Sequence, residues 1–328
     1  MRVSLLFACL LVVGMVSPAS AEDPTPLELI GEVGEDLLED YSRPLVESYA
    51  VAMGSGWYNS AKSHKLLGFD IGVRFMYIQI PEHAKYFTAE SLLVVGLKPD
   101  STGIETTYVT AESLATVFGP RGTQNHWLTE GQVGIPPAMP GGLGLNAMPF
   151  LLPQASLGLP FGFEITARYI PWPFKGTTVQ FLGIGLKSEL TALPGLKGLP
   201  FNLALQGFYQ KVMIGDAMNS NTFGGNLHLS RSFLMVTPYA GFGFDNTSMN
   251  FDYVFEAHVP KFEVGPPPRV LTDTVEIPVK FCYSSGMSWR GVVGAIVKLG
   301  LFFISADYGY DIAKSYHSVN VGAGVSMR

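Results

Sequence analysis

The stretch Phe161-Gly162-Phe163-Glu164-Ile165-Thr166-Ala167-Arg168-Tyr169 alternates without a break. Successive side chains of an extended chain point to opposite sides. Phe161, Phe163, Ile165, Ala167 and Tyr169 therefore share one face, and Gly162, Glu164, Thr166 and Arg168 the other. The same unit, roughly ten residues closed by a turn-rich break, returns at 179–189, 201–213, 222–230, 234–244, 249–257, 275–283, 287–299, 301–310 and 319–327. Upstream it recurs as Phe69, Ile71, Val73, Phe75 and Tyr77 set against Asp70, Gly72 and Arg74, and more briefly at 91–97. These make about twelve strands, in a range of about ten to fourteen, and bacterial membrane barrels use even numbers of this size. Residues 104–118 have room for a further pair, and 119–160 is too rich in Gly and Pro to read as strand.

What covers the apolar face decides between two all-β architectures. A two-sheet sandwich shows water its second face, which then carries Lys, Glu and Thr. Here the second face is mostly Gly, Ser, Asn and Ala with single charges, while the first is nearly continuous aromatic and aliphatic. Small polar side chains suit a crowded lumen, and large apolar ones suit lipid. Aromatics also mark strand ends: Tyr77, Tyr169 with Trp172, Phe208 with Tyr209, Tyr253, Tyr283, Trp289, and Tyr308 with Tyr310. Such ends fall at headgroup level. The reading is a closed antiparallel transmembrane β-barrel. Val319, Val321, Ala323, Val325 and Met327 form the last strand, which closes the ring on the first.

With 47% apolar and 15% charged residues the chain is too hydrophobic to be disordered, and a net charge of −6 offers no nucleic-acid footprint. Arg2, the apolar stretch 5–16 and Ala19-Ser20-Ala21 predict a signal peptide over 1–21, cleaved after Ala21. That stretch is too short to span a bilayer core of about 30 Å as a helix. Thr25-Pro26-Leu27-Glu28 is a capping box, and Leu27, Ile30, Leu37, Leu38 and Tyr41 follow at helical spacing. Arg43-Pro44 is expected to break this helix, leaving a second short one over 44–53 that ends at Gly54. Residues 22–60 are thus a helical segment, either a plug in the barrel or a periplasmic helix on its rim. Residues 61–328 are the barrel, with a long Pro/Gly-rich loop at 119–160.

Several stretches resemble a functionally uncharacterised family of bacterial outer-membrane barrels. They are Gly56-Trp57-Tyr58-Asn59-Ser60-Ala61-Lys62 with His64-Lys65-Leu66-Leu67-Gly68-Phe69-Asp70, then Pro153-Gln154-Ala155-Ser156-Leu157-Gly158-Leu159-Pro160, then Glu164-Ile165-Thr166-Ala167-Arg168-Tyr169-Ile170-Pro171 leading to Gly183-Ile184-Gly185-Leu186-Lys187. The resemblance runs from about Tyr41 to the end and implies a barrel with an N-terminal helical segment, without a known activity. A looser likeness to outer-membrane transporters of long-chain fatty acids and other hydrophobic compounds lies in the shared plan of signal, plug and barrel, a likeness of fold that licenses no function.

No G-x-S-x-G, phosphate loop, H-E-x-x-H or C-x-x-C occurs, so neither an enzyme nor a cofactor is expected. Asp245-Asn246-Thr247-Ser248 reads as a polar hairpin turn. His228 with Ser230 points inward and is the residue on which barrel-borne acyl chemistry would have to rest. Strand phase also places Asp70, Arg74, Glu164, Arg168, Lys280, Arg290 and Lys298 inside, as lumen-lining candidates for binding. Glu164 and Arg168 stand about 13 Å apart along one strand, so each is expected to pair across to a neighbour. The expected function is passive passage of small solutes, hydrophobic ones included, across the outer membrane. A lipid-modifying barrel enzyme and a structural or adhesive surface barrel are the alternatives. Outer-membrane lipid, the barrel assembly machinery and an unidentified small solute are the expected partners, and nucleic acid is not.

Overall fold

A computed structural model describes residues 35–97, 104–122, 141–174, 177–196, 198–215, 217–263 and 269–327. The leader at 1–21 and the capping box at 25–28 lie outside them. In chain order the elements are α1 (Glu35–Gly54), β1 (Phe69–Gln79), β2 (Tyr86–Leu97), β3 (Ile104–Ala115), β4 (Ala147–Gly158), β5 (Phe163–Phe174) and β6 (Thr177–Glu189). There follow β7 (Asn202–Ile214), β8 (Met218–Ser230), β9 (Val236–Glu263), β10 (Arg269–Leu299), β11 (Phe302–Asp311) and β12 (Tyr316–Met327). Among the described residues β1 and β4–β12 close into one antiparallel barrel of ten strands, and β2–β3 form a separate hairpin. β1 pairs with β12 from Phe69↔Met327 to Gln79↔His317, which closes the ring.

Outside the barrel, Ile71, Val73, Phe75 and Tyr77 are 40–54% exposed, while Asp70, Arg74, Met76 and Ile78 between them are buried. An apolar exterior with closed backbone pairing is the pattern of a sheet whose solvent is lipid. No described helix is long and apolar enough to cross a membrane.

Strand boundaries depart from the sequence reading in three places, each for a physical reason. The expected strands 234–244 and 249–257 are one, β9, and 275–283 and 287–299 are one, β10. Asp245-Asn246-Thr247-Ser248 is mid-strand, with Asp245 and Thr247 buried in the lumen, because residues that usually mark a turn also suit a polar interior. A one-residue bulge on β10 between Ser284 and Met287 shifts the register there and reverses the facing of everything beyond it.

The supposed loop 119–160 contains β4. Its prolines, Pro149 and Pro153, hid it, since proline cannot donate to a ladder. Both lie upstream of Gln154, where β4 bonds β1 on one side only; its pairing with β5 runs from Gln154↔Arg168 to Gly158↔Glu164 and stops. On the facing strand Pro171 and Pro173 lie past the same point. The wall therefore carries an unbonded seam between 147–153 of β4 and 169–174 of β5.

β9 and β10 outrun their neighbours. β8 stops at Met218↔Phe251 and β11 at Asp311↔Arg290, so the residues past Phe251 stand beyond the ring as a two-stranded ribbon about 40 Å long.

Candidate functional site

Residues 41–64 lie inside the barrel, packed on the inner face of its strands. α1 passes through Pro44 rather than breaking there. An interior proline costs a helix about 3 kcal/mol, but Pro44, Leu45 and Val46 are buried, and the Tyr316 hydroxyl reaches the Pro44 carbonyl at 3.5 Å. At this end of the lumen the barrel turns apolar residues inward. Met76, Ile78, Met148, Phe150, Phe181 and Ile214 pack on Tyr41, Leu45, Tyr49 and Met53 of the helix. Alternation fails there because the inner face meets a helix rather than water. Tyr283 and Tyr316 donate to opposite oxygens of Glu47, both at 3.3 Å. Tyr283 and Phe208, expected in the headgroup belt, thus face inward.

Past Gly54 a strap of residues 55–68 descends through a polar tier. Arg168 organises its upper part: Nε donates to Gln154 at 2.9 Å, Nη1 to Gln210 at 3.1 Å and Nη2 to the Ser55 carbonyl at 3.1 Å. Its guanidinium lies 3.9 Å from the Trp57 ring centroid, and Trp57 stacks on Phe208 at 4.7 Å. Arg290 stands 3.2 Å from Asp245 and 3.6 Å from Asp311, and its Nη1 donates to the Ser55 hydroxyl. Lower down, Glu164 takes Lys187 Nζ at 2.8 Å, His64 Nδ1 at 2.8 Å and the His64 amide at 3.0 Å, and Lys187 also donates to the Ser60 carbonyl.

Six of the seven candidates are thereby placed in the lumen. Asp70, Arg74, Glu164, Arg168 and Arg290 are buried, and Lys298 donates to Ser326 at 3.1 Å. Lys280 is the exception: it pairs with Asp252 on the ribbon, past the bulge and out of phase with inward Tyr283, and its side chain lies outside the described residues. Glu164 does pair across to the next strand. Arg168 also pairs across, to Gln154 opposite it on β4, through a side-chain amide rather than an ion pair. Lys187, His64, Asp245, Asp311 and Trp57 were not singled out as site residues. Lys187 already sat on the inward face of its strand, whereas His64 and Trp57 precede the barrel and carry no periodic signal.

His64, Asp70 and Glu164 hold ligand atoms within 4.8 Å of one another, a spacing that a divalent cation could bridge. Lys187 already neutralises Glu164, and Lys62 and Lys298 line the same cavity. Their repulsion disfavours a cation, so the cluster reads as a latch on the strap. His228 is buried, with Nδ1 2.8 Å from the Asn226 side-chain oxygen and the Tyr58 ring edge-on at 6.1 Å.

Inward glycines make room for the strap. A Cβ on Gly185 would lie 2.8 Å from Trp57 Cζ3, and one on Gly241 2.6 Å from Tyr58 Cε1. Gly185→Val is expected to cost about 1–3 kcal/mol by overpacking and to abolish the near-ultraviolet dichroism of the Trp57–Phe208 stack. An unchanged spectrum would show that the strap does not sit there.

A model of a family of unknown function, DUF6588, matches residues 1–327. The chain belongs to that family. No curated protein matches it. Among solved structures it is similar to the N-terminal β-barrel domain of Pseudomonas aeruginosa OprF, at 16% identity over 50% of this chain and 96% of that one, TM-score 0.24. Ail of Yersinia pestis matches at 7% identity over 80% and 98%, TM-score 0.27. The translocator domain of the autotransporter NalP from Neisseria meningitidis matches at 10% over 90% and 99%, TM-score 0.25. At these values none bears on what the DUF6588 chain does.

Proposed function

We propose that the protein is an outer-membrane barrel that passes small apolar solutes sideways, between its lumen and the surrounding lipid. The observation that carries this reading is the apolar tier beside the unbonded seam. Met148, Phe150 and Leu152 of β4 face inward at the stretch where β4 leaves β5, in contact with the tier that α1 fills. An apolar solute replacing part of the helix contact would exchange one greasy surface for another at little net cost. A water-filled route would gain nothing from such a lining. Water-soluble cargo would instead have to pass the strap and its buried ion pairs, whose separation is costly.

The test is to bridge Leu151→Cys and Pro171→Cys across the seam with a short bis-maleimide, in a Cys282→Ser background. Uptake of N-phenyl-1-naphthylamine by intact cells carrying the chain is expected to fall to the level of cells lacking it. Uptake that bridging leaves unchanged, or that never exceeds that of cells lacking the chain, refutes the reading.

A further inference from the structure

The rim at which β12 ends carries an unusual set of turns. The 159–162, 231–235 and 300–301 connections, the longer 190–201 connection and the strap's exit at 64–68 all lie there. Turns facing water favour Gly, Asn, Asp and Ser. These instead carry Leu67, Phe161, Leu234, Met235 and Leu301, between 55% and fully exposed. Three of them sit in left-handed backbone: Leu67 at φ 65°, Phe161 at φ 64° and Leu234 at φ 47°. That conformation is strained for a residue with a branched or bulky side chain, and short hairpin turns ordinarily give the position to Gly or Asn. Three tips on one rim accept the strain and show the apolar side chain to the outside, so the folded barrel alone does not explain them.

Among the described residues of the same rim the exposed charges have one sign. Lys62, Lys65 and Arg231 are exposed. Glu189, the acid nearest the surface among the described residues there, already accepts from the Ser63 amide and the Thr191 hydroxyl. On two strands the outward apolar band runs into these tips without a polar break: Val236 leads back to Leu234, and Val297 and Leu299 lead to Leu301. From the tips to Tyr77 and Tyr308 is about eight residues, roughly 20 Å of membrane depth at a barrel's tilt, short of the roughly 25 Å apolar band such barrels show. Even counted from the tips the apolar band does not exceed that height, so the tips fit within it.

We infer that this rim is sunk in the bilayer interface and binds anionic phospholipid, with the apolar tips among the acyl chains and Lys62, Lys65 and Arg231 on the phosphate groups. The long excursions, the 80–146 connection and the β9–β10 ribbon, leave from the opposite rim, and long loops lie on the extracellular side of bacterial barrels, so the leaflet concerned is the inner one. The inference is independent of how, or whether, solutes pass through the barrel.

A spin label on Leu234→Cys, in a Cys9→Ser/Cys282→Ser background, reads the depth in phosphatidylcholine vesicles containing phosphatidylglycerol. Its ratio of oxygen to aqueous-nickel accessibility should match that of a label on lipid-facing Leu227→Cys. A ratio like that of Glu82→Cys, at an exposed position on the opposite rim, overturns the inference. So does a label that immobilises as protein concentration rises, which would make the rim a contact between copies of this chain. Each basic residue at an anionic surface is worth about fivefold in partition. Lys62→Gln/Lys65→Gln should thus weaken binding of short-chain phosphatidylglycerol to the detergent-held barrel about thirtyfold, with phosphatidylcholine unaffected. Equal affinities in parent and variant overturn the headgroup assignment. Leu234→Asn relieves the backbone, so it should raise the urea midpoint in detergent and lower it in phosphatidylglycerol vesicles. A rise in both means that the tip never meets lipid.

Discussion

Replacing Arg290 with methionine is expected to destabilise the folded barrel by about 3–5 kcal/mol. Arg290 is 1% exposed and its guanidinium stands between Asp245 on β9 and Asp311 on β11, so it is the positive charge in direct contact with both buried carboxylates. Removing it leaves two like charges facing each other without water. The loss should appear as a lower urea midpoint in micelles, followed by the heat-dependent shift of the barrel on a gel. Because the penalty comes from the stranded carboxylates, Arg290→Met combined with Asp245→Asn and Asp311→Asn should recover most of it; neutral, shape-matched replacements of a buried ion pair are often nearly neutral. A single variant within about 1 kcal/mol of the parent would mean that water, not protein, surrounds the cluster.

Trp57→Ala should lose a comparable amount, about 3–5 kcal/mol for a buried aromatic, but from a different unit. Trp57 is 2% exposed, stacked on Phe208 and covered by Arg168, so its packing holds the strap to the wall. The ring does not depend on it: β1 is bonded to β12 and β4 along its whole length. The cost should therefore fall on local opening of residues 55–61, whose amide exchange is expected to rise at least a hundredfold while the urea midpoint of the barrel barely moves. If the midpoint falls in step with the exchange, strap and barrel are one cooperative unit and the plug cannot shift alone.

The latch shows how far sequence reaches into the site. A two-residue period, which needs no knowledge of neighbours, places Glu164 and Arg168 inward. That Glu164 meets Lys187, while Arg168 meets Gln154 and Gln210, is a matter of strand register, which the period does not contain. His64 and Trp57 belong to neither a strand nor a helix, so their contacts follow only from the path of the strap.

Lipid-facing alternation from Phe69 to Met327, and with it the closed antiparallel barrel, was legible because each strand must match its two faces to two solvents on its own. Tertiary structure alone decided that ten strands close the ring, that β9 and β10 continue past it and that prolines open a seam beside β4. Those outcomes depend on which backbone amides find partners on other strands, and residues far apart in the chain settle that together. The lumen follows the same division: its polar residues were visible, but only folding could show that residues 41–64 of the same chain fill the space between them.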